Sequence, residues 1–462
     1  MSSVATGVSS GLSGIVGPGN LEADPVQLSA FRIGTSVPKA IVRPGSNQEI
    51  AEIVRLAAAE KLVLMPVGAR TKLGMNIPVH QYDLALDMTR LDRVVAYDPD
   101  DLTLSVEPGI SLETLSCVLA ENRQFLPLAA PYLKRATVGG TIASGVDSPL
   151  RQLYGTARDY LLGLEFVAGE GQIVKSGGRV VKNVSGYDLH KLMIGSLGSL
   201  GVITKVNFRT FPVPQSTRAF IAFFDSAEGA VEMRQRVAQS PLRPLTMEIL
   251  SPHGAQLLSG EVAAQIEPGQ SPADALANGR WAFTAGYAGT ERVVERYERE
   301  LRQMAGAADS VSFGEKAAIV ALGRMREFIP IALESSPATV IMKISVLPAR
   351  MAELLCEAES IAARSDLRWA AMARGVGVIY VALLPVARNE ETRATVVRAI
   401  QELFKTCEDR AGNIAVPWCP VEWVRWLPEQ KTNGVELELM RKLKRAFDPA
   451  GIFAPDPLAS GR

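Results

Sequence analysis

The first strong hydrophobic pattern in the chain predicts an amphipathic helix over residues 46–61, "SNQEIAEIVRLAAAEK". Ser46 and Glu49 have the spacing of a capping box, in which side chains bond the free N–H groups of the first turn. Apolar residues then recur every three or four positions and so share one helical face: Ile50, Ile53, Val54, Ala57 and Ala58. Residues 62–75 follow as a short apolar run, which predicts a buried strand that ends in a loop.

The pattern of apolar and polar residues divides the chain into four segments. Short strand patterns and a second helix, starting at Ser111, continue to about residue 215. From residue 216 strands alternate with long helices, a pattern typical of an α+β domain with ferredoxin-like halves. We therefore predict a flexible tail over residues 1–35, a first domain over 36–215, an α+β cap domain over 216–440 and a C-terminal tail over 441–462 that packs back on the first domain.

The loop "PVGARTKLG", residues 66–74, is the first candidate for ligand binding. Pro66 ends a strand, and Gly68 and Gly74 allow a sharp turn. Consecutive backbone N–H groups in such a turn can converge on a phosphate. The side chains of the loop would add donors: Arg70, Thr71 and Lys72. An ordinary surface turn is the alternative interpretation.

A second candidate is "ATVGGTIASGV", residues 136–146, which has almost no bulky side chains. A planar or phosphorylated ligand could lie directly against such a backbone, because glycine has no Cβ. The alternative is the tightly packed start of a helix. Both interpretations stay open from the residues alone.

The stretch "VVKNVSGYDLHKLMIGSLGSLGVITKV", residues 180–206, resembles a phosphate loop only superficially. Asp188 is predicted to cap a helix that ends at Gly195, and apolar and polar residues alternate from Val202 as in a strand. The order is helix, glycine loop, strand, with G-x-x-G-x-x-G spacing. A Rossmann phosphate loop requires strand, G-x-G-x-x-G, helix, so it is excluded.

Composition narrows the function classes further. Lys+Arg and Asp+Glu both number 49 among 462 residues, so no basic excess points to nucleic acid. No two cysteines have C-x-x-C spacing and the three histidines are scattered, so we expect no metal or iron–sulfur site. These residues are Cys117, Cys356, Cys407, Cys419, His80, His190 and His253.

The N-terminus, "MSSVATGVSSGLSGIVGPGN", is rich in glycine and serine and lacks the basic residues of a secretory signal. No run approaches the ~20 apolar residues that a membrane span requires. We therefore expect a cytoplasmic protein, held at the inner membrane, if at all, through partners.

Four segments occur in the order of the motifs of the vanillyl-alcohol-oxidase-type, or PCMH-type, FAD-binding domain: "PVGARTKLG", "ATVGGTIASG", "YGTARDYLLGLEFVAGEGQIVKSGG" and "KNVSGYDLHKLMIGSLGSLGVIT". The chain resembles that family over roughly residues 36–215 and the tail. More narrowly, "GGRVVKNVSGYDLHKLMIGSLGSLGVIT" and "FDPAGIFAPDP" resemble the GlcE-type FAD-binding subunits of bacterial glycolate oxidase. The resemblance implies an α+β protein, with a two-subdomain FAD-binding domain and a ferredoxin-like cap.

The resemblance also implies which residues contact FAD. It assigns the pyrophosphate to the first loop, the adenine and ribitol side to the second motif and the turn at Gly155, and the flavin ring to the backbone of residues 201–203. Arg158 and Asp159 form either a structural salt bridge or a cofactor contact. The implied contacts are Pro66, Val67, Gly68, Ala69, Arg70, Thr71, Lys72, Thr137, Val138, Gly139, Gly140, Ala143, Ser144, Gly145, Gly155, Gly201, Val202 and Ile203.

The chain departs from the family pattern at several positions. Ala69 and Arg70 replace glycines that are usual in the first loop, so Arg70 would reach the pyrophosphate directly. No histidine lies in that loop, which implies non-covalent FAD. Ala454 stands where relatives often have asparagine, which removes a tail hydrogen bond to the flavin. Relatives that oxidise 2-hydroxy acids alone carry a His-rich metal motif in the cap, and the scattered histidines cannot form it.

Three functions follow from the resemblance. The first is an FAD-binding subunit of a complex that oxidises glycolate to glyoxylate, with a second flavin subunit and an iron–sulfur subunit as partners. The second is a stand-alone FAD-dependent dehydrogenase for a D-lactate-like 2-hydroxy acid. The third is a catalytically silent FAD-binding scaffold. The missing metal ligands disfavour the second.

The catalytic residues stay unassigned. A 2-hydroxy acid needs a cation for its carboxylate and a base for its hydroxyl group. Lys182, Asn183 and Tyr187 lie beside the expected flavin loop, although they equally suit a surface turn. Arg374, on a cap strand, is a weaker candidate for the carboxylate anchor, and we expect His190 to face solvent on a helix.

Overall fold

The computed structural model describes residues 6–75, 81–179, 186–264, 279–428 and 434–454. The chain forms two compact units. The first comprises Met1–Asp147, Thr156–Val213 and Lys431–Arg462, and the second comprises Ser148–Gly155 and Pro214–Gln430. Residues 148–155, which we assigned to the first domain, therefore belong to the second unit.

The first unit contains a small sheet of four strands: β1 (Leu21–Glu22), β2 (Ala40–Val42), β3 (Leu64–Val67) and β4 (Leu84–Asp87). Their order is β1-β2-β4-β3, and β2, β4 and β3 are parallel. The helix Asn47–Glu60 packs its apolar face into the same core. The Ser46 hydroxyl accepts the Glu49 N–H at 3.1 Å, so the predicted cap forms.

A second sheet lies in the same unit. Its strands and those of a two-stranded ribbon are β5 (Val94–Asp98), β6 (Thr103–Val106), β7 (Gln124–Phe125), β8 (Leu161–Val167), β9 (Ile173–Gly177), β10 (Val202–Arg209) and β11 (Phe211–Pro212). The five-stranded sheet is antiparallel, in the order β5-β6-β10-β8-β9, and β7 pairs with β11. Helices of this unit include Pro25–Ser29, Leu112–Ala120, Val138–Ser144, Ala157–Tyr160 and Gly434–Phe447, with 3₁₀ turns at Pro18–Asn20, Met88–Arg90 and Leu189–Lys191.

The N-terminal segment differs from the predicted flexible tail, because residues Thr6–Val16 form a helix. Val8, Leu12 and Val16, four residues apart, lie on one face and are buried in the core that also holds the helix Asn47–Glu60. The Gly/Ser-rich composition suggested disorder, but this apolar stripe lets the helix pack.

The second unit is built around one eight-stranded antiparallel sheet. Its strands are β12 (Ser216–Phe224), β13 (Thr246–Leu250), β14 (Trp281–Gly289), β15 (Ser310–Phe313), β16 (Val340–Ser345), β17 (Trp369–Arg374), β18 (Val378–Leu383) and β19 (Asn413–Trp418). The order is β15-β12-β14-β13-β17-β18-β16-β19. Each half therefore has the ferredoxin-like order, and β13 and β17 join the halves. The predicted α+β class is confirmed.

Helices alternate with these strands. They are Arg151–Tyr154, Ala227–Gln239, Pro252–Ala264, Glu291–Ala305, Glu315–Arg326, Phe328–Glu334, Met351–Arg364 and Glu390–Glu408, with 3₁₀ turns at Pro348–Arg350 and Val421–Trp426. Four of the long helices pack their apolar faces on one side of the sheet to form its main core. The surface insertion that the sequence suggested at residues 267–280 lies almost entirely outside the described residues.

Among the helices that the structure describes, none combines the length and the apolar character that a membrane crossing requires.

Candidate functional site

The loop after β3 turns sharply at a residue that is not glycine. Arg70 has a φ of 63°, in the left-handed region that residues with a side chain rarely adopt. Within the described part of the chain, the backbone N–H groups of Ala69, Arg70 and Thr71 donate to no protein acceptor. Consecutive N–H groups in such a turn can form a concave binding site for an anion. The loop after β3 is therefore a candidate phosphate loop.

The same loop carries two cationic side chains, Arg70 and Lys72. The Arg70 guanidinium stacks over the Phe31 ring at 4.7 Å, and Lys72 Nζ lies 3.4 Å from Thr71 Oγ1. Stacking on Phe31 holds the long Arg70 side chain in place and reduces the entropy that ligand binding would cost. The loop thus offers both oriented backbone donors and positive charge.

The helix Val138–Ser144 packs against this loop through glycines. Its cap residue Thr137 accepts the Gly140 N–H at 3.3 Å. A Cβ on Gly68 would lie 2.1 Å from Thr137 Oγ1, and a Cβ on Gly139 would lie 2.5 Å from Pro108 Cβ. Side chains at these glycines would force the loop and the helix apart. The second candidate motif is therefore a helix start that also forms a wall of the site.

The glycine turn at residues 195–201 docks on the other end of that helix. Leu197 N–H donates to Ala143 O at 2.7 Å, and Gly195 N–H donates to Ile142 O at 3.0 Å. Gly201 has a φ of 155°, and a Cβ there would lie 2.7 Å from Val167 O. The turn therefore requires glycine where it approaches β8, and β10 starts directly after it.

These three segments enclose two adjoining cavities. One is open to solvent and follows the loop after β3. The other is also open to solvent, lies along the glycine turn and includes Met88, Pro108, Gly198, Gly201 and Ile203. Six residues line both, so the cavities form one continuous groove: Pro66, Val67, Gly68, Thr137, Gly140 and Ala143. No described residue that lines either cavity is a carboxylate.

The groove suits a long ligand with a charged and an apolar part. Its larger compartment offers N–H groups and cations to a diphosphate, whereas the smaller one is walled by apolar side chains and glycine backbone. A flat ring can lie against such a wall, since no side chain projects from the glycines. FAD has both parts, and the residues present fit it.

Most of the residues that the resemblance assigned to FAD lie in this groove. Val138 and Val202 are fully buried, and Gly145 ends the helix with a φ of 60°. Gly155 belongs to the second unit, where it ends the helix Arg151–Tyr154. The assigned residues that do line the groove are Pro66, Val67, Gly68, Ala69, Arg70, Thr71, Lys72, Thr137, Gly139, Gly140, Ala143, Ser144, Gly201 and Ile203.

The sequence did not single out several residues that line the groove. They are Met65, Leu73, Met75, Met88, Pro108, Leu197 and Gly198. The regular glycine spacing of residues 195–201 could have identified Gly198. The apolar residues could not have been identified, because the same side chains are equally common in a hydrophobic core.

The expected helix over residues 188–195 is reduced to the 3₁₀ turn Leu189–Lys191. Asp188 does not cap it, and its carboxylate instead pairs with Lys191 at 2.7 Å. Gly195 has a φ of 78° and starts the glycine turn. The N–H groups of Lys191 and Leu192 bond carbonyls three residues earlier, and the Gly195 N–H bonds Ile142 O instead of continuing a helix.

His190 is buried rather than solvent-facing, with 3% exposure. Its Nδ1 lies 3.1 Å from Ser176 Oγ, and its own backbone N–H donates to the same oxygen at 3.1 Å. Burial lowers the pKa of the imidazole, an effect that the nearby Asp188 carboxylate opposes. His190 therefore anchors the turn to β9. The polar residues beside it in the sequence had suggested an exposed position instead.

Of the polar candidates for substrate binding beside the expected flavin loop, the structure describes Tyr187 alone. Lys182 and Asn183 lie outside the described residues, and the Tyr187 side chain is 89% exposed. Asp159 caps the helix Ala157–Tyr160, accepting the Thr156 N–H at 2.7 Å, which gives it a local structural contact.

Arg374 lies in the second unit, at the end of β17. It is buried and pairs with Glu248 at 2.9 Å, its register partner on β13. The guanidinium also stacks over the Tyr380 ring at 5.5 Å. Because a carboxylate of the protein already balances its charge, Arg374 is a poor anchor for a second carboxylate.

A larger cavity of about 820 Å³ lies elsewhere in the first unit. Its charges are already matched: Arg93 pairs with Glu107 at 2.7 Å, and Lys205 pairs with Glu165. The ion pairs leave little net charge to attract an anion, so its size alone does not make it the binding site.

Three of the four thiols are unsuited to redox chemistry. Burial raises the pKa of Cys356 and of Cys419 to about 12 and that of Cys407 to about 11, so these thiols stay protonated. Among the described residues, no group of three or more His, Cys, Asp or Glu side chains could hold a metal ion.

The chain is similar to known proteins over most of its length. Residues 38–177 match the FAD binding domain family, and residues 213–458 match the family of the C-terminal domain of FAD linked oxidases. The glycolate oxidase subunit GlcD of Bacillus subtilis is 25% identical over 422 residues, which cover 91% of this chain and 88% of GlcD. The mitochondrial D-lactate dehydrogenase (cytochrome) of Arabidopsis thaliana is 26% identical and covers 93% of this chain, with 75% of its own length matched.

The narrower resemblance covers less of the chain. The glycolate oxidase subunit GlcE of Escherichia coli is 34% identical, but over 200 residues, which are 43% of this chain and 55% of GlcE. Among solved structures, p-cresol methylhydroxylase is similar in fold, with a TM-score of 0.76, 18% identity and coverage of 98% of this chain and 97% of that one.

Proposed function

Because this chain belongs to the FAD-linked oxidases, we propose that it is the FAD-binding subunit of a complex that oxidises glycolate to glyoxylate. The groove in the first unit is the observation that supports this proposal most directly, since it fits FAD. The proposal also draws on two relatives, GlcD and GlcE, which are both named as glycolate oxidase subunits.

We assign the pyrophosphate to the N–H groups of Ala69, Arg70 and Thr71, with Arg70 and Lys72 supplying positive charge. The flavin ring would lie along the glycine turn, against Gly201 and Ile203. No described residue that lines the groove is a histidine or cysteine, so these residues offer no point of covalent attachment. When bound, FAD supplies the two-electron oxidation of a CH–OH group, and the chain supplies its position and electrostatics.

The groove performs two tasks in this scheme. Its oriented N–H groups need no reorganisation to meet the diphosphate charge, so FAD would be held in one position. Its apolar compartment excludes water from one face of the ring. The cation and the base that a 2-hydroxy acid requires come from residues we do not assign. We propose Lys182, Asn183 and Tyr187 as the first residues to test for these roles.

The electrons taken from the substrate must then pass from FAD to an acceptor outside the chain. The four cysteines have no cluster-binding spacing, so the chain offers no iron–sulfur relay of its own. We therefore propose a second flavin subunit and an iron–sulfur subunit as partners.

A stand-alone D-lactate-like dehydrogenase is the second candidate function. It is favoured by relatives of that name that match nearly the whole chain, such as the enzyme of Arabidopsis thaliana. The D-lactate dehydrogenase of Anaerostipes hadrus likewise covers 91% of this chain at 24% identity.

One set of measurements separates these functions. The chain is purified alone, saturated with FAD and examined for the visible flavin bands, and dye reduction is then assayed with glycolate and with D-lactate, with and without candidate partner subunits. We expect flavin bands from the chain alone and glycolate-dependent reduction only with partners. A colourless protein would contradict both candidate functions. Full activity with D-lactate and no partner would favour the stand-alone enzyme, and bound flavin without activity in any mixture would indicate a silent scaffold.

A further inference from the structure

The C-terminal helix carries a buried lysine with three acceptors. Lys444 is 7% exposed, and its Nζ donates to Asp448 Oδ2 at 2.6 Å, to Ser199 O at 2.8 Å and to Phe453 O at 2.9 Å. The three donor positions of the ammonium group are thereby filled. A buried charge that is fully bonded in this way has one fixed position.

Asp448, the partner of Lys444, is also fully engaged. It is 2% exposed, and its Oδ1 accepts the Ile452 N–H while its Oδ2 accepts the Phe453 N–H, both at 2.9 Å. The carboxylate therefore folds the chain back after the helix. The lysine and the aspartate together fix the path of residues 448–453.

This pair connects two walls of the groove within the first unit. Ser199, whose carbonyl binds Lys444, lies in the glycine turn between Gly198 and Gly201. On the other side, Leu64 N–H donates to Ile452 O at 2.7 Å, and Ala454 N–H donates to Leu64 O at 2.8 Å. Leu64 begins β3, which leads directly into the loop at residues 66–72.

A role in folding stability alone does not explain the pair well. Apolar residues of similar volume are often as stable as a buried ion pair, or more so, because both charges must be desolvated. What an apolar residue could not do is bond the carbonyls of Ser199 and Phe453 at the same time. The chemistry of the pair therefore favours positioning of the two segments.

We propose that Lys444 and Asp448 are positioning residues for the FAD groove. They hold the glycine turn and the start of β3 at the separation that the groove requires. The inference rests on the proposed function, because it takes FAD as the ligand. It predicts that a change some distance from the loop at residues 66–72 weakens FAD binding.

The test compares Lys444→Met with Lys442→Met in the full-length chain. Lys442 lies in the same helix but is 63% exposed and pairs with the exposed Glu438, so it is a matched control. FAD affinity is measured by titration of flavin fluorescence with the apo-protein. We expect Lys444→Met to raise the Kd at least about tenfold, and Lys442→Met to leave it unchanged. A wild-type Kd for folded Lys444→Met would overturn the proposal.

A second measurement separates positioning from loss of stability. In the apo-protein, amide hydrogen exchange in the turn at residues 198–201 should be at least about tenfold faster in Lys444→Met, with the helix Asn47–Glu60 unchanged. Uniformly faster exchange in the whole unit would indicate a merely structural role and contradict the proposal. If Lys444→Met does not fold, Asp448→Asn, which keeps the shape and removes the charge, carries the same expectations.

The result for the wild-type chain separates this inference from the proposed function. A wild-type protein that binds no FAD would refute the proposed function and, with it, the role of the pair. Tight FAD binding by the wild-type and by Lys444→Met alike would refute the positioning role and leave the proposed function intact.

Discussion

The two units of the chain each bury a cation–carboxylate pair, but they use it differently. In the first unit, Lys444 and Asp448 are four residues apart at the end of one helix, and their further bonds go to backbone groups of distant segments. In the second unit, Arg374 and Glu248 lie opposite each other on β17 and β13, where the two ferredoxin-like halves meet.

The difference lies in what each pair fixes. A pair between facing strands specifies the register of the sheet, because a slip of one residue would place the two charges on opposite faces. A pair whose cation bonds loop carbonyls specifies where the loops lie. The first kind should matter most to stability, and the second to whatever binds between the loops.

The largest effect is expected from Glu248→Gln in the second unit. The change removes the carboxylate that faces the buried Arg374 charge, and loss of one partner of a buried ion pair typically lowers the free energy of unfolding by about 3 to 5 kcal/mol. All five tryptophans of the sequence, at residues 281, 369, 418, 423 and 426, lie in this unit, so their fluorescence in urea reports its unfolding. The control is Glu402→Gln, which removes the partner of Arg364 on the surface and should leave the urea midpoint unchanged. Equal midpoints for Glu248→Gln and the wild type would contradict the role of the pair in the sheet.

Gly68→Ala tests the groove itself and should have an intermediate effect. The added Cβ would lie 2.1 Å from Thr137 Oγ1 and would push the loop away from the helix Val138–Ser144. We expect the Kd for FAD to rise at least about tenfold, which is about 1.4 kcal/mol of binding free energy. Flavin fluorescence titration measures it.

Gly74→Ala is the control for that variant. It changes a glycine of the same loop whose added Cβ would have no atom of a described residue within 4 Å, so FAD affinity should stay at the wild-type value. If both variants bind FAD alike, close packing at Gly68 does not shape the site.

The smallest effect is a pH dependence due to His190. Burial lowers the pKa of this imidazole below its ordinary value of 6.5, so the unfolded chain binds a proton more readily than the folded one. Stability should therefore decline as the pH falls below 6.5, and His190→Asn should flatten that decline. Thermal unfolding at pH 5.5 and 7.5 measures this decline. An unchanged slope in His190→Asn would show that another group titrates.

Local sequence signals predicted the elements well wherever neighbours along the chain decide the structure. The Ser46 cap forms, the apolar stripe of the helix Asn47–Glu60 is buried, and β10 starts at Val202 as the alternation indicated. The ferredoxin-like halves also followed from the alternation of strands and helices.

Predictions failed where distant segments compete with local preference. The N-terminal helix forms because Leu12 packs into the core that also holds the helix Asn47–Glu60, although the residues beside Leu12 are glycine and serine. His190 is buried because Ser176, on β9, offers it a partner. Neither contact could be predicted from the residues that flank Leu12 or His190 in the sequence.

The sequence by itself determined the class of this protein and the segments that form its groove, because glycine turns, caps and apolar periodicity act over a few residues. Tertiary structure alone decided which glycines touch, such as Gly68 with Thr137, and how Lys444 joins the C-terminal segment to Ser199. The physical reason is that hydrogen bonds and close packing depend on separation in space. Lys444 and Ser199 are 245 positions apart in the chain, yet their atoms lie 2.8 Å apart.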